Sequence, residues 1–517
     1  LAFSATSDRP IWILGEDVVD PFFAALELVF QPYVLLVIVC SGAFGLLVGS
    51  IPGLTATMAT ALLVPVTFFM DPIPAIAAIV TTVATAIFAG DIPGALLRIP
   101  GTPASAAYCD EAFAMTRKGQ ASKALGVGLV CSVIGGLLGS AVLMAATSTL
   151  ADFAFKFSSF EYFWLACLGL SCAVIVSTGS VIKGFASLLI GLFISTIGID
   201  LMSGHPRFTF GSIELLGGVS FIPAMIGMFA ISEILRFVAT ADHVRPQIPH
   251  QRVTSVFEGV GSVLSKYRWN LLRGSSLGAL IGVLPGAGAD IAAWVAYAVS
   301  KRTSKEKEKF GDGHAEGLVD ASAANNAGLS GAWVPALVFG IPGDSVTAIA
   351  IGVLYMKGMN PGPMIFLENP QILNAVFIIF FVANLVLLPL GYLAIRLSTQ
   401  MLKIPARMLM PAILLFCLVG SFAITNSVYG VIVMLVMGVL AFAMEENGFP
   451  IAPTILGIVL GGMLEEMFLS SMIKSDGNFL EFFSRPIAAS LGVLTIAVWV
   501  YPIMTSLKGN ITSQNRL

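Results

Sequence analysis

The sequence predicts an all-α polytopic membrane protein of two inverted-topology repeats, with about 12–14 membrane segments, some of them broken or re-entrant. Three observations predict it: the composition, a motif that occurs twice, and the places where positive charge collects. Of 517 residues, 57% are hydrophobic and 11% charged, with a mean hydropathy of +0.91. A soluble domain carries about 25% charged residues, so most of this surface faces lipid. Val34 to Val48, Gly184 to Ile199 and Ile487 to Val500 contain no charged residue. With their flanks they approach the roughly 20 residues that a spanning helix needs.

Several function classes are excluded by the same reading. A net charge of −3 without a basic face argues against nucleic acid. The six cysteines form no CxxC and lie mostly in apolar segments, so they read as small packing residues. The four histidines are scattered, and no GxxxxGK[ST] occurs. No metal site and no phosphate-cradling loop is expected.

Taken in order, residues 1–26 form an N-terminal segment on the periplasmic side. They carry Asp8, Glu16, Asp17 and Asp20 against Arg9, the opposite of the basic start of a cleavable signal. Residues 27–235 are the first repeat half. It includes a loop with Arg117, Lys118 and Lys123, then spans at about 121–148, 159–177, 183–202 and 214–235. Residues 236–268 are a basic loop; from Arg236 to Arg273 there are six Lys/Arg and two acids. Basic loops stay cytoplasmic, and four spans between two of them return the chain to one side. Residues 269–507 are the second repeat half, and 508–517 a short tail. Lys301 to Lys309 read as a solvated insertion, and Glu445-Glu446 and Glu465-Glu466 as span ends.

The repeats carry the chemistry. Gly45-Leu-Leu-Val-Gly49-Ser-Ile-Pro52-Gly53 returns as Gly278-Ala-Leu-Ile-Gly282-Val-Leu-Pro285-Gly286, an offset of 233 (285 − 52). Pro93 to Gly101 returns as Pro335 to Gly343, an offset of 242 (342 − 100). The first copy follows acidic chain and ends in a basic loop; the second does the reverse, hence the inversion. Pro-Gly ends a helix, because proline lacks an N–H and glycine tolerates unusual dihedrals. Within a bilayer the freed backbone groups need protein, water or ligand as partners. Helices starting after such breaks aim N–H groups and a positive dipole end at an anion.

Candidate substrate-binding residues are therefore Pro52, Gly53 and Thr55, with Thr57; Arg98, Pro100, Gly101, Thr102 and Ser105; Pro285 and Gly286; Asn325 and Asn326; and Pro342, Gly343, Ser345 and Thr347. Arg98 could grip a carboxylate through two hydrogen bonds, or pair structurally with Asp91, Asp110 or Glu111. Asn325 and Asn326 suit a coupling cation, a carboxylate or an interhelical hydrogen bond. Asp344 could ligate a cation, titrate, or be a loop carboxylate. Asp290 and Asp320 are weaker candidates. The breaks point to a membrane transporter with no cofactor. The alternatives are the permease of an ATP-driven importer and an intramembrane enzyme. The latter lacks any Ser/His, Cys/His or metal spacing near the breaks.

The chain resembles the TctA family, the large membrane subunit of tripartite tricarboxylate transporters. The likeness rests on Gly49-Ser-Ile-Pro-Gly53, Phe310-Gly311, Ala324-Asn-Asn-Ala327, Gly340-Ile-Pro-Gly343 and Pro361-Gly-Pro363. In the middle it rests on Glu161-Tyr-Phe163, Gly198-Ile-Asp200, Pro206-Arg-Phe-Thr-Phe-Gly211 and Ser232-Glu-Ile-Leu235, and it covers about residues 30 to 480. It implies gradient-driven import of a di- or tricarboxylate across a bacterial cell inner membrane, coupled to Na+ or H+. The implied partners are a small TctB-like membrane subunit and a periplasmic TctC-like solute-binding protein; a homo-oligomer is also open. Two places depart from the family. Gly90-Asp-Ile-Pro93 stands where it usually has Gly-Gly-Ser-Thr, and Arg98 where it usually has Asn. Asp320-Ala-Ser-Ala323 stands where it often has an acidic residue and proline. The added positive charge of Arg98 fits a carboxylate.

Overall fold

The computed structural model describes residues 16–52, 54–176, 180–200, 202–239, 255–402 and 406–514. Gly53 lies outside the described residues, as do most of the N-terminal segment and part of the basic loop. The first part of the chain forms α1 (Glu16–Val29), α2 (Pro32–Gly49), α3 (Ala56–Phe68), α4 (Pro72–Ala89), α5 (Asp91–Leu97), α6 (Cys109–Arg117), α7 (Ala121–Ala154), α8 (Ser159–Val176) and α9 (Val181–Ser195). A two-residue hairpin pairs β1 (Gly198–Ile199) antiparallel with β2 (Pro206–Arg207). Helix then resumes in α10 (Phe221–Ile226), passes a π turn at Gly227–Ile231, and runs on as α11 (Ser232–Ala239).

The second part forms α12 (Val260–Lys266), α13 (Arg268–Gly282), α14 (Gly288–Thr303), α15 (Ala315–Phe339), α16 (Ser345–Met356), α17 (Ile365–Glu368), α18 (Pro370–Met401), α19 (Ala406–Thr425), α20 (Val428–Glu446), α21 (Ile451–Lys474) and α22 (Pro486–Gln514). Among the described residues, seven helices are long and apolar enough to cross a membrane, and six shorter ones are apolar. Two expected spans are shorter than the sequence implies. The 183–202 segment stops at Ser195 and the 214–235 segment starts at Phe221. Between them Gly198, Gly204, Gly211 and Gly218 take positive φ, which turns the chain rather than continuing a helix.

Two helices form the centre. α4 is apolar on every side and buried along its length, as a helix without a polar face must be. α15 is rich in Ala, Gly and Ser, and every residue from Gly317 to Val338 is buried. Small side chains let neighbouring backbones approach closely. Of the two longest helices, α7 with 34 residues packs on α15 and touches α4, while α18 with 32 packs on α4 and α7 and meets α15 where Phe380 touches Trp333. Leu280, Leu385, Leu415, Val436 and Val493 are among the large apolar side chains left exposed on the periphery, as lipid contact requires.

The two motif copies build matching arrangements. α2 packs on α4, and α13 on α15. A Cβ on Gly45 or Gly49 would come within 3.0 Å of the carbonyl oxygen of Thr82 or Ala86, and one on Gly278 or Gly282 within 3.0 Å of that of Ala324 or Gly328. The glycines are related by 233 (278 − 45; 282 − 49) and their partners by 242 (324 − 82; 328 − 86), the offsets of the two sequence blocks.

Ion pairs fasten the periphery. Arg207 binds Glu465 through two hydrogen bonds of 2.5 and 3.0 Å. Glu465 lies within α21 and is met there by this cation from the hairpin. Glu445 does fall at the end of α20, paired with Arg236. Lys301 to Lys309 span the end of α14 and the start of the α14–α15 connection, which docks on α6. There the buried Glu111 accepts from Tyr297 and from the backbone of Gly311, Gly313 and His314.

Candidate functional site

Four chain segments that follow the Pro-Gly positions meet at one place. The starts of α3, α14 and α16 and the turn after Gly101 surround a cavity of about 40 Å³. Its wall contains Ala56 and Ala289, Thr57 and Asp290, Val83 and Asn325, Ile87 and Leu329, Thr102 and Asp344, and Pro103 and Ser345. The first two pairs differ by 233 (289 − 56; 290 − 57) and the other four by 242 (325 − 83; 329 − 87; 344 − 102; 345 − 103). Thr55 and Val346 complete the wall. Each copy thus contributes one half of the cavity at equivalent positions.

Local chemistry holds these ends in place. Thr55 caps α3 by accepting from Met58 N at 3.2 Å. Asp344 and Thr347 form a capping box on α16, with Thr347 N donating to Asp344 Oδ1 at 2.7 Å and Asp344 N donating to Thr347 Oγ1 at 2.8 Å. Thr102 and Ser105 make the same reciprocal pair in the first copy, at 3.1 and 3.0 Å. These two pairs also differ by 242 (344 − 102; 347 − 105). Reciprocal caps satisfy donors that a helix start otherwise leaves open. Across the copies, Thr57 Oγ1 lies 3.5 Å from Ser345 Oγ, and Ala104 N donates to Asp290 Oδ1 at 3.2 Å.

The two halves match in position but not in charge. The first copy presents Thr57, Val83 and Thr102; the second presents Asp290, Asn325 and Asp344. Three helix starts make the environment favourable to negative charge, while two carboxylates already occupy it. Such a wall suits a cation together with an anion. In the conformation described, its volume holds a water or a small ion, well short of the roughly 300 Å³ of a ligand pocket. A larger cavity of about 360 Å³ lies beyond the Gly340 break, between Phe221, Phe339, Tyr355, Pro361 and Glu466.

Of the residues singled out from sequence, Thr55, Thr57, Thr102, Asn325, Asp344 and Ser345 line the central cavity. Ser105 and Thr347 brace it through their caps. Gly101 and Gly343 are packing positions, where a Cβ would come within 3.0 Å of Gly90 and of Ala332, again 242 apart (332 − 90). Pro342 is buried beside Gly343, Pro52 is half-buried after α2, and Pro100 is exposed. Pro285 and Gly286 abut α8 instead, near Gly169 and Ala173. Asn326 is buried, with neither side-chain polar atom bonded among the described residues.

Arg98 stands apart. It ends α5 in a left-handed conformation (φ 60°), its side chain is 63% exposed, and its Nε donates to Asp110 at 2.8 Å. It does not line the cavity; of the roles open to it in the sequence, the pairing with Asp110 is the one formed. Its neighbour Asp91 points inward, bonded to Tyr108, which in turn contacts Asn325. Asp290 gains weight over its place in the sequence reading. Applying the 233 offset to Thr57 would have found it.

Comparison with known proteins follows the same lines. The family model described as "Tripartite tricarboxylate transporter TctA family" matches residues 35–456. A protein of Agrobacterium vitis described as "Uncharacterized 52.8 kDa protein in TAR-I ttuC' 3'region" is 34% identical over 469 residues, 90% of this chain and 92% of that protein. A second from the same organism, "Uncharacterized protein in TAR-II ttuC' 3'region", is 36% identical over 231 residues, 45% of this chain and 96% of its own length. No solved structure matches the chain.

Proposed function

The chain belongs to the tripartite tricarboxylate transporter TctA family, and from that premise we propose that it is the large membrane subunit of a binding-protein-dependent importer of a di- or tricarboxylate, driven by a Na+ or H+ gradient. Its membrane is the bacterial inner membrane. Its partners are a small TctB-like subunit and a periplasmic TctC-like binding protein.

The observation that carries this reading is the cavity wall of six residue pairs at the two repeat offsets. A site shared equally by two related halves is the arrangement that inverted-repeat transporters use near the membrane midplane. The unequal charge of the halves supports coupling. Two carboxylates beside an anionic substrate repel it unless a cation or proton neutralises them first; this makes entry of the ion a condition for binding. Asp344 and Asp290 are the charged, ion-binding side, and Asn325 beside them can turn either an acceptor or a donor to the cavity. The hydroxyls of Thr55, Thr57, Thr102 and Ser345, with the helix-start amides, are the substrate side. The cavity in this conformation is smaller than any such substrate, so the two halves separate to admit it.

The test is uptake of labelled di- and tricarboxylates into proteoliposomes holding this subunit, its small partner and the binding protein. Na+ and H+ gradients are imposed separately. Accumulation that needs both the binding protein and one gradient is expected. Equal uptake without any gradient would sink the reading.

A further inference from the structure

We propose that Asp91 is the proton-binding residue of the transport cycle, and that Tyr108 relays its protonation to Asn325 in the cavity wall. This rests on the reading above and extends it with a proton site distinct from the Asp290 and Asp344 carboxylates of the wall.

Asp91 is 6% exposed, and its Oδ2 has no hydrogen-bond partner among the described residues. Its Oδ1 accepts from the Tyr108 hydroxyl at 2.6 Å, and the Tyr108 oxygen accepts from Asn325 Nδ2 at 3.1 Å. All three residues are buried. Among the described residues, no Lys, Arg or His pairs with Asp91. α4 carries no titratable residue, and α5 carries only Asp91. On α6, Cys109 donates to Gly94 O, Asp110 is held by Arg98, and Glu111 is occupied by Tyr297 and the 311–314 backbone. α7 faces Asp91 with Gly128, and α15 with Ser322, whose hydroxyl is also unbonded; Asp320 further along is paired with Arg273.

An ionised carboxylate without a cation beside it is costly in a low-dielectric interior. The space that adjoins Asp91, bounded by Gly94, Ser105, Tyr108, Cys109 and Gly128, measures about 10 Å³. That admits about one water, and its wall is mostly apolar, with few side-chain oxygens besides those of Asp91, Ser105 and Tyr108 to ligate a metal ion. A proton is the charge that fits.

The hydrogen-bond chain then has two settings. A charged Asp91 only accepts, so Tyr108 must donate to it and Asn325 must donate to Tyr108. This fixes the amide and leaves Asn325 Oδ1 unbonded at a residue that lines the cavity. A protonated Asp91 can donate to the Tyr108 oxygen instead. The Tyr108 hydroxyl then turns toward Asn325, the amide reverses, and its NH2 group is offered to the cavity. The wall changes from acceptor to donor, and a donor favours a carboxylate. One proton is taken up outside with the substrate and released inside. Only hydrogen bonds change besides.

The experiment uses the complete three-component system in proteoliposomes with an internal pH dye, with labelled citrate as probe and labelled succinate where citrate is not carried. In Na+-free buffer the wild type should acidify the lumen on substrate addition. Its KM should climb about tenfold per pH unit once Asp91 ionises. Asp91→Asn should keep substrate exchange but lose proton movement and pH dependence. Tyr108→Phe should keep exchange with a KM that no longer responds to pH. Proton-driven accumulation by Asp91→Asn, or wild-type accumulation on Na+ alone without proton movement, overturns this proposal and leaves the importer reading intact. Failure of the wild type under both gradients overturns the importer reading itself. Should Asp91→Asn not assemble, the wild-type dye signal and the Tyr108→Phe pH profile decide.

Discussion

At Asp344 one carboxyl group serves two ends. Its Oδ1 closes the capping box of α16, and its charge faces the central cavity. Asparagine caps a helix about as well as aspartate, so Asp344→Asn separates the two. The variant should unfold within a few degrees of wild type, while gradient-driven accumulation falls at least about tenfold. Asp344→Ala should in addition lose about 1 kcal/mol of stability with the cap, read as a lower Tm in detergent. Arg98 makes the opposite case. Its partner is Asp110 and both side chains are mostly exposed, so Arg98→Gln should leave the substrate KM within about threefold of wild type, since exposed pairs contribute little. A larger loss would return Arg98 to the substrate path.

Between helices, glycine sets the distance. α2 meets α4 and α13 meets α15 where a side chain has no room. Gly49→Val and Gly282→Val should each destabilise the protein by about 1–3 kcal/mol or more. Gly462→Val on α21, where nothing lies within 4 Å, is the control. Unequal effects of the two central variants in a thermal-shift assay would argue against equivalent packing. This level was the most legible in the sequence, because glycine spacing and Pro-Gly breaks act locally and leave their own residue types behind. The Asp91–Tyr108–Asn325 chain was not legible. Its members lie 17 and 217 residues apart, and nothing local marks them as neighbours. Arg98 misled for a related reason. The sequence left open which of Asp91, Asp110 and Glu111 it pairs with, and the left-handed end of α5 brings it to Asp110 on the exposed side. The hairpin between α9 and α10 was hidden inside apparent spans, since hydropathy averages over the glycines that turn it.

Across the molecule, the halves touch at Thr57 and Ser345, 3.5 Å apart. Both can be replaced by cysteine after the six native thiols, all free, are removed. If import requires the halves to part, oxidation of this pair should abolish uptake and a reductant should restore it. Full uptake by the cross-linked protein would rule out separation at this point. The narrowness of the cavity between those tips also bears on the cell's energy supply. On the proposed reading, such a subunit waits in the membrane for a loaded binding protein. With about 40 Å³ between its tips in this conformation, it would offer ions little room to pass there. A resting copy would then draw little on the gradient, and the cell could keep many in the membrane while the nutrient is scarce.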